Sequence, residues 1–364
     1  MFVLSKVALS LLFICLGAQM ALAAERQMTP KQRYEAALAY QSSQPERTVE
    51  TLRMLSERGY GRASERLAYM TFKGRGTAQS NSAAIVLYEK AINDGRSASL
   101  VPLGKAYMEM GEYSLALETW SKASQAGHEK ADALRSWAHA TRRLGALSEA
   151  ELGWTDLLSL AQSGSRDGLL LLLDAAVRKN KTPNNVEMVL DQLHARQVDG
   201  DAKAAEALLK YYRATRHPNG TVETRSRLIR TTGIRSKVLV EESLYLARDQ
   251  QPEDFWSASE ILVLSAPNDV YARALVVTAK INKNAYVRIL QKELRLLGYN
   301  VGVESPYMNS PLILSTNKFC RDMEMTNSCI QGPLKFTTIK SVAAQLAKVR
   351  TPSQRYERTA RYGQ

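Results

Sequence analysis

The sequence predicts an all-α protein in which a solenoid of helix pairs precedes a small three-helix C-terminal domain. The first observation is a repeat of helix-ending glycines spaced 32 to 37 residues apart, at Gly59, Gly95, Gly127, Gly164 and Gly200. The second is that a small residue follows each glycine by four positions and a large apolar residue by eight, except at Arg135. Helix pairs repeating at a fixed period of about 35 residues are typical of solenoid proteins.

The first 23 residues have the pattern of a secretory signal peptide. Lys6 supplies a positive charge, an apolar run follows over residues 7–17, and an Ala-Leu-Ala cleavage site ends at Ala23. The apolar run is too short to span a membrane comfortably, and no stop-transfer run follows it. The sequence therefore predicts cleavage near Ala23 and Ala24, a periplasmic protein, and no transmembrane segment after cleavage.

The repeats are predicted over residues 59–280, after an N-terminal cap or first repeat over residues 24–58. The segment 59–95 sets the pattern with a helix, a glycine loop and a second helix. Small residues at the first repeated position let paired helices approach closely, and the large residue one turn later fills the space between them. The repeats become weaker after residue 215, so their number there stays open.

These repeats resemble the Sel1-like subclass of tetratricopeptide-type repeats. The resemblance rests on the Gly74-x-Gly76 loop, on the run Tyr88 to Ala91, and on Gly95. Later repeats lack the Gly-x-Gly loop and have the shorter turn of ordinary tetratricopeptide repeats, as at Gly111. The resemblance implies a right-handed superhelix whose concave face binds other proteins, and it implies no catalysis.

Aromatic side chains recur along the repeats and are candidate partner-binding anchors, because Tyr and Trp often dominate protein interfaces. The candidates are Tyr69, Tyr88, Tyr107, Trp120, Trp137 and Trp154. Their spacing also fits the core of the repeats, so packing between helices is the alternative interpretation and the one that the spacing favours.

The segment 284–348 resembles the small three-helix domains called peptidoglycan-binding-like. The matching positions are Val287, Leu290, Gln291, Leu294, Leu297, Gly298, Tyr299 and Gly302. Residues 304–308 replace the family's Asp-Gly loop, which lies near the usual binding groove. The residues therefore support the fold more directly than they support glycan binding.

Two cysteines, Cys320 and Cys329, remain after removal of the signal peptide. An even pair in an oxidising compartment predicts a disulfide, and two free thiols are the alternative. A disulfide would staple a domain that is small for a self-sufficient core.

The net charge of +13 indicates a partner or polymer of negative charge. Because the chain is predicted to be exported, we expect the anionic partner to be acidic polysaccharide, lipid head groups or acidic proteins, and no nucleic acid. Peptidoglycan is a further candidate partner. One candidate basic face comprises Arg225, Arg227 and Arg230. A second candidate is the predicted disordered basic tail over residues 349–364, with Arg355, Arg358 and Arg361. A solvated basic surface is the alternative for both.

No constellation of catalytic or metal-binding residues stands out. The chain has four histidines, and no two of them have the helical spacing of a metal site. We therefore predict no catalytic residues, no metal and no cofactor.

The leading hypothesis is a non-enzymatic periplasmic scaffold that binds envelope proteins, in exopolysaccharide (alginate-type) secretion or envelope organisation. The alternatives are a peptidoglycan- or glycan-binding envelope protein and a regulator of a cell-wall enzyme.

Overall fold

A computed structural model describes residues 28–250 and 254–350 of the 364-residue chain. Every regular element in these two ranges is a helix, which confirms the predicted all-α fold. None of these helices is long and apolar enough to cross a membrane. The predicted signal peptide and the arginines of the predicted tail, Arg355, Arg358 and Arg361, lie outside the described residues.

The chain forms two compact units, which divide between Asn184 and Asn185 and are called unit 1 and unit 2. In the part of unit 1 that the structure describes, the helices are α1 (Pro30–Ala39), α2 (Pro45–Glu57), α3 (Gly61–Lys73), α4 (Asn81–Asn93), α5 (Leu100–Met110), α6 (Tyr113–Gln125), α7 (Lys130–Ala140), α8 (Ala150–Gln162) and α9 (Arg166–Lys179). Short 3-10 turns precede α5 and α8, at Ser97–Ser99 and Gly145–Leu147.

The described residues of unit 2 form ten further helices. They are α10 (Val186–Val198), α11 (Ala202–Thr215), α12 (Val222–Leu228), α13 (Ser236–Gln250), α14 (Phe255–Leu264), α15 (Asn268–Ile281), α16 (Lys283–Leu296), α17 (Ser310–Asp322), α18 (Thr326–Cys329) and α19 (Phe336–Val349).

The repeated glycines end helices because each adopts a positive φ, which other residues adopt only at a steric cost. The φ values are +78° at Gly59, +84° at Gly95, +81° at Gly127, +81° at Gly164 and +88° at Gly200. The small residues four positions later, at 63, 99, 131, 168 and 204, are all buried. The repeat inferred from the sequence is thus a repeat of structure.

The large residue of the pattern is buried wherever it is apolar, as at Leu67, Leu103, Leu172 and Leu208. Arg135, the exception, keeps its side chain 38% exposed and pairs with Asp132 on its own helix, at 3.1 Å. An arginine fits at this position because its charged end reaches water and a carboxylate one turn away.

Helix pairs in unit 1 pack closely where a glycine faces a bulky group. A Cβ on Gly104 in α5 would lie 2.5 Å from Nε1 of Trp120 in α6. A Cβ on Gly153 in α8 would lie 2.4 Å from the backbone nitrogen of Ala140, at the end of α7. Since no side chain fits in either space, these glycines set how near the paired helices come.

In unit 2, α13 to α19 contribute to one hydrophobic core that extends from Leu244 to Leu346. Helix α15 lies at its centre and packs against α13, α16 and α19. Only Asn282 separates α15 from α16, and its side chain caps α16 by accepting from the backbone N–H of Asn284 and Ala285. The domain boundary expected between 280 and 284 stays a sequence-based prediction, and the core includes residues on both sides of it.

The predicted disulfide is present and joins Cys320, near the end of α17, to Cys329, the last residue of α18. Both cysteines belong to the core of unit 2. The bridge therefore ties the short α18 to a helix that is anchored in that core.

Candidate functional site

Two adjoining hollows in unit 1 form a groove over the first helices of three successive helix pairs, α3, α5 and α7. We call it the first-helix groove. The larger hollow has a volume of about 540 Å³ and the smaller about 260 Å³. The larger is lined by Glu65, Tyr69, Phe72, Lys73, Tyr88, Ala98, Val101, Pro102, Lys105, His128, Glu129, Lys130 and Leu134. The smaller shares four of these residues and adds Tyr34, Arg62, Arg66 and Arg96.

The three helices present side chains to the groove through the same helical spacing. Residues four positions apart lie on one face of a helix, one turn above the other. The pairs that line the groove in this way are Glu65 and Tyr69, Val101 and Lys105, and Lys130 and Leu134. Each first helix thus contributes one face to a shared wall.

The aromatic part of the wall is held in place by contacts on both sides. Phe72 and Tyr88 are buried in a core formed by α3, α4 and α5, and both line the groove. The ring of Tyr69 is half-buried, and the guanidinium groups of Arg66 and Arg75 lie 5.1 Å and 5.8 Å from its centre. These cation–π contacts restrain the Tyr69 ring.

Positive charge at the groove is only partly neutralised. Glu65 pairs with Arg96 at 2.6 Å, and Lys130 lies 3.6 Å from Asp167. The ammonium of Lys73 lies 4.7 Å from the centre of the Phe72 ring. Among the described residues, no carboxylate lies within ion-pair distance of the Lys73 or Lys105 ammonium.

Lys105 occupies an unfavourable place for an ammonium group. Burial lowers its pKa, and the positive charges of Lys73 and Lys130 lower it further, while Glu109 opposes them. The causes are loss of water and repulsion between like charges, both of which a bound anion would relieve.

Of the six aromatic candidates for partner binding, three are buried and pack between helices. Packing was the alternative interpretation that their spacing favours. Tyr88, Trp120 and Trp137 are at most 7% exposed. The indole N–H of Trp120 donates to the carbonyl of Val101 at 3.1 Å, and that of Trp137 donates to Asp174 at 2.9 Å. Each ring therefore fastens one helix to another.

The other three aromatic candidates are half-buried, and only Tyr69 lies in the first-helix groove. The hydroxyl of Tyr107 donates to Glu89 at 2.7 Å, and burial together with this bond raises the pKa of Tyr107 to about 12. The ring of Trp154 has the ammonium of Lys181 5.0 Å from its centre. The structure thus brings together Tyr69 and Tyr88 alone.

The predicted basic face on α12 needs a correction at Arg225. This side chain is buried, and it pairs with Glu242 at 2.5 Å and with Asp249 at 2.7 Å. Its charge is therefore already compensated and does not face an external polymer. Arg227 and Arg230 are exposed, and Arg227 lines a separate hollow of about 770 Å³ in unit 2.

Sequence reasoning missed the three lysines of the first-helix groove. Lys73, Lys105 and Lys130 follow their repeat glycines by 14, 10 and 3 positions, so an alignment of repeats does not place them together. Their common location depends on how successive helices stack. The available signal was a lysine on each of three consecutive first helices.

A Ser–His contact occurs at the edge of the groove, where Nε2 of His128 lies 3.1 Å from Oγ of Ser97. Within the described ranges, no carboxylate contacts the other ring nitrogen of His128 to orient it as a base. No group of three or more His, Cys, Asp or Glu side chains in those ranges could hold a metal ion.

No family model matches the chain, and no curated protein matches it. One similar solved structure is a protective antigen present in uropathogenic Escherichia coli strains, which displays an SLR (Sel1-like repeat) fold. The two chains are 13% identical, with a TM-score of 0.35, over 92% of this chain and 84% of the antigen. At this level the similarity adds nothing about function. Independently of it, the helix pairs and glycine turns of this chain have the arrangement that the resemblance to Sel1-like repeats implies.

Proposed function

We propose that this protein is a non-enzymatic adaptor that holds a partner protein in the first-helix groove of unit 1. The observation that carries the proposal is the groove itself, which extends over three successive first helices and combines an apolar floor with lysines. Two of these lysines, Lys73 and Lys105, have no carboxylate within ion-pair distance among the described residues. Helical-repeat proteins bind by extended shape, with many contacts along one wall. A floor of aromatic and aliphatic side chains supplies buried area, and the charged rim selects the partner.

The proposal that the protein is not an enzyme is supported by the ionisable groups at the groove. Glu65 is already paired with Arg96, and in residues 28–250 and 254–350 no carboxylate contacts His128 to orient it as the base of Ser97. A nucleophile needs such an oriented base to react at neutral pH. The groove thus offers shape and charge, which suit binding.

The proposal places the protein in the periplasm, where its partners would be other envelope proteins. It is supported by the signal-peptide pattern of residues 1–23 and by the pair of cysteines that form a disulfide. The net charge of +13 supports a further proposal, that the adaptor works in exopolysaccharide (alginate-type) secretion beside an acidic polymer.

Site-specific photo-crosslinking in intact cells tests the adaptor function. A photoreactive phenylalanine derivative replaces Tyr69 in the groove and, as the control, Val86, which is 63% exposed on α4. We expect discrete crosslinked species from position 69 and none of the same size from position 86. Equal crosslinking from both positions, or from position 86 alone, would contradict the proposed docking site.

Glycan binding at the C-terminal helices is a second candidate function, favoured by the loop that follows α16. The side chain of Gln291 holds this loop by donating to the carbonyl of Val303 and accepting from the N–H of Ser305. Tyr307, 64% exposed, is thereby presented to solvent, where its ring could stack on a sugar. Sedimentation with isolated cell-wall sacculi tests this function. Glycan binding requires that the protein sediments with the sacculi and that Tyr307→Ser abolishes this sedimentation. The adaptor function does not require binding to sacculi.

A further inference from the structure

Building on the adaptor function, we propose that the first-helix groove recognises an acidic peptide segment in which an Asp or Glu adjoins a large apolar residue. The carboxylate lies at Lys105, between Lys73 and Lys130, and the apolar side chain enters the larger hollow. The segment belongs to a partner protein.

The apolar half of the inference follows from the walls of the larger hollow. Phe72, Val101, Pro102 and Leu134 come from three different helices and line one space. Its volume of about 540 Å³ exceeds that of a single large side chain, so an aromatic or leucine side chain and its flanking backbone fit. Filling the space would remove apolar surface of both partners from water, which is the main source of affinity in such pockets.

The charged half follows from the lysines that line the same hollow. Lys73 and Lys105 have no carboxylate within ion-pair distance among the described residues, and Asp167 lies 3.6 Å from Lys130. A carboxylate placed among them would make charge-assisted hydrogen bonds in a partly desolvated site, where such bonds are strongest.

Lys105 is the residue on which the inference depends most. It sits on the middle helix of the three, and the charges of Lys73 and Lys130 both act on it. Burial and this repulsion make its charge costly in the unbound protein. A bound carboxylate would stabilise the charged form of Lys105. Removal of the Lys105 charge should therefore weaken binding more than removal of a solvated charge.

A peptide fits this groove better than an acidic polysaccharide does. Every ring of a uronate chain carries hydroxyl groups, and rings seated against Phe72 and Leu134 would leave some of them buried without a hydrogen-bond partner. A peptide can place an apolar side chain against that floor and its carboxylate beside the ammonium groups. The groove therefore has the chemistry of a mixed acidic and apolar segment.

The test selects a random 12-residue peptide library on the full-length mature protein and counter-selects it on Lys105→Met. We expect the recovered sequences to combine Asp or Glu with Phe, Leu, Trp or Tyr one or two positions away. For a synthetic, fluorescently labelled peptide from this set, Lys105→Met should weaken binding about 10- to 100-fold, as expected for a lost charge-assisted hydrogen bond. Lys105→Arg should retain most of the affinity.

The matched control is Lys179→Met, which removes an exposed lysine at the end of α9 in the same unit. It should change the affinity less than about two-fold, because exposed charges contribute little. Thermal unfolding monitored by circular dichroism shows that each variant is folded. Peptides that bind Lys105→Met as tightly as the unmodified protein, or that lack acidic residues, overturn the inference.

Oligouronate is titrated in parallel as the competing ligand class. Binding of oligouronate that depends on Lys105, with no acidic peptide selected, overturns the inference in favour of a polysaccharide. If photo-crosslinks form at position 69 while no acidic peptide is selected, the inference fails and the adaptor function stands. The two failures are thus distinguishable.

Discussion

The two compact units differ in the polar groups that they bury. In the part of unit 1 that the structure describes, the buried polar side chains are hydroxyls, at Thr48, Ser56, Ser64, Thr71, Ser99, Thr119, Ser136 and Thr141. Unit 2 also buries charged groups, at Glu206, Arg225, Glu242, Glu260, Glu293 and Arg350. The buried polar side chains of unit 1 are thus neutral in the described residues, whereas unit 2 buries charge that needs a compensating partner.

A hydroxyl can be satisfied within its own helix, but a buried charge cannot. The Thr141 hydroxyl donates to the carbonyl of Trp137, four residues earlier, at 2.7 Å. Glu242, by contrast, is fully buried on α13 and accepts from Arg213 on α11 and Arg225 on α12. One carboxylate thus holds three helices in register, and any change to it leaves buried charge uncompensated.

Loss of the Glu242 carboxylate should have the largest effect. Glu242→Ala is expected to lower the free energy of unfolding of unit 2 by about 3–5 kcal/mol, because buried Arg225 would lose one of its two carboxylate partners. Peptide-resolved amide hydrogen exchange should show lost protection across α11, α12 and α13. Glu223→Ala, at an exposed carboxylate of α12, is the control and should cost under about 1 kcal/mol. A loss confined to α13 would show that the ion cluster does not join the three helices.

At the position eight residues after each repeat glycine, loss of an apolar side chain should destabilise unit 1 more than loss of a charged one. Leu172→Ala is expected to lower the free energy of unfolding by about 2–5 kcal/mol, since a fully buried leucine is replaced by a cavity. Arg135→Ala, at the equivalent position of another repeat, should cost less than about 1 kcal/mol because its ion pair is exposed. Urea denaturation of the two variants measures both values. Similar losses would mean that Arg135 packs like the leucines.

The turns of unit 1 were predictable from the sequence because their cause is local. A glycine at positive φ, followed by a small residue and then a large one, is a signal contained within one turn and one helix. The basic face was mispredicted at Arg225 for the opposite reason. Its partners, Glu242 and Asp249, lie 17 and 24 residues further along the chain. The periodic sequence pattern does not indicate that they contact Arg225.

The candidate site was predictable only in part for a related reason. Tyr69 and Tyr88 were identified as aromatic candidates, and both line the groove. Lys73, Lys105 and Lys130 occupy different positions in successive repeats. They line the same hollow only because of the way in which the successive helices pack. Periodicity identifies equivalent positions, whereas a binding site joins positions that are not equivalent.

Removal of the disulfide should affect unit 2 alone. Cys320→Ala/Cys329→Ala is expected to lower the free energy of unfolding of the C-terminal helices by about 2–3 kcal/mol, from the entropy of the opened loop. Amide exchange should speed up in α17, α18 and α19. Exchange in α3 to α6 of unit 1 provides the internal reference and should stay unchanged. A change in that reference region instead would contradict a stabilising role of the bridge in the C-terminal helices.

The smallest effect concerns pH and Asp249. Burial acts to raise the pKa of Asp249, but hydrogen bonds from Arg225 and Arg248 outweigh it and hold the pKa below the ordinary 3.8. Its contribution to stability is therefore present above pH 3.8 and is lost as the pH falls through the folded-state pKa. Urea midpoints of the unmodified protein and Asp249→Asn should differ at pH 7 and converge as the pH falls through the folded-state pKa of Asp249. Glu57→Gln, which removes an exposed carboxylate in unit 1, is the control variant.

The central claim is that the first helices of unit 1 form the surface that docks a partner. The most direct measurement is amide hydrogen exchange of the full-length protein with and without the partner captured through position 69. The account predicts slower exchange in α3, α5 and α7 on binding, with α4, α6 and α8 unchanged. Protection confined to unit 2, or to the second helices of the pairs, would contradict it.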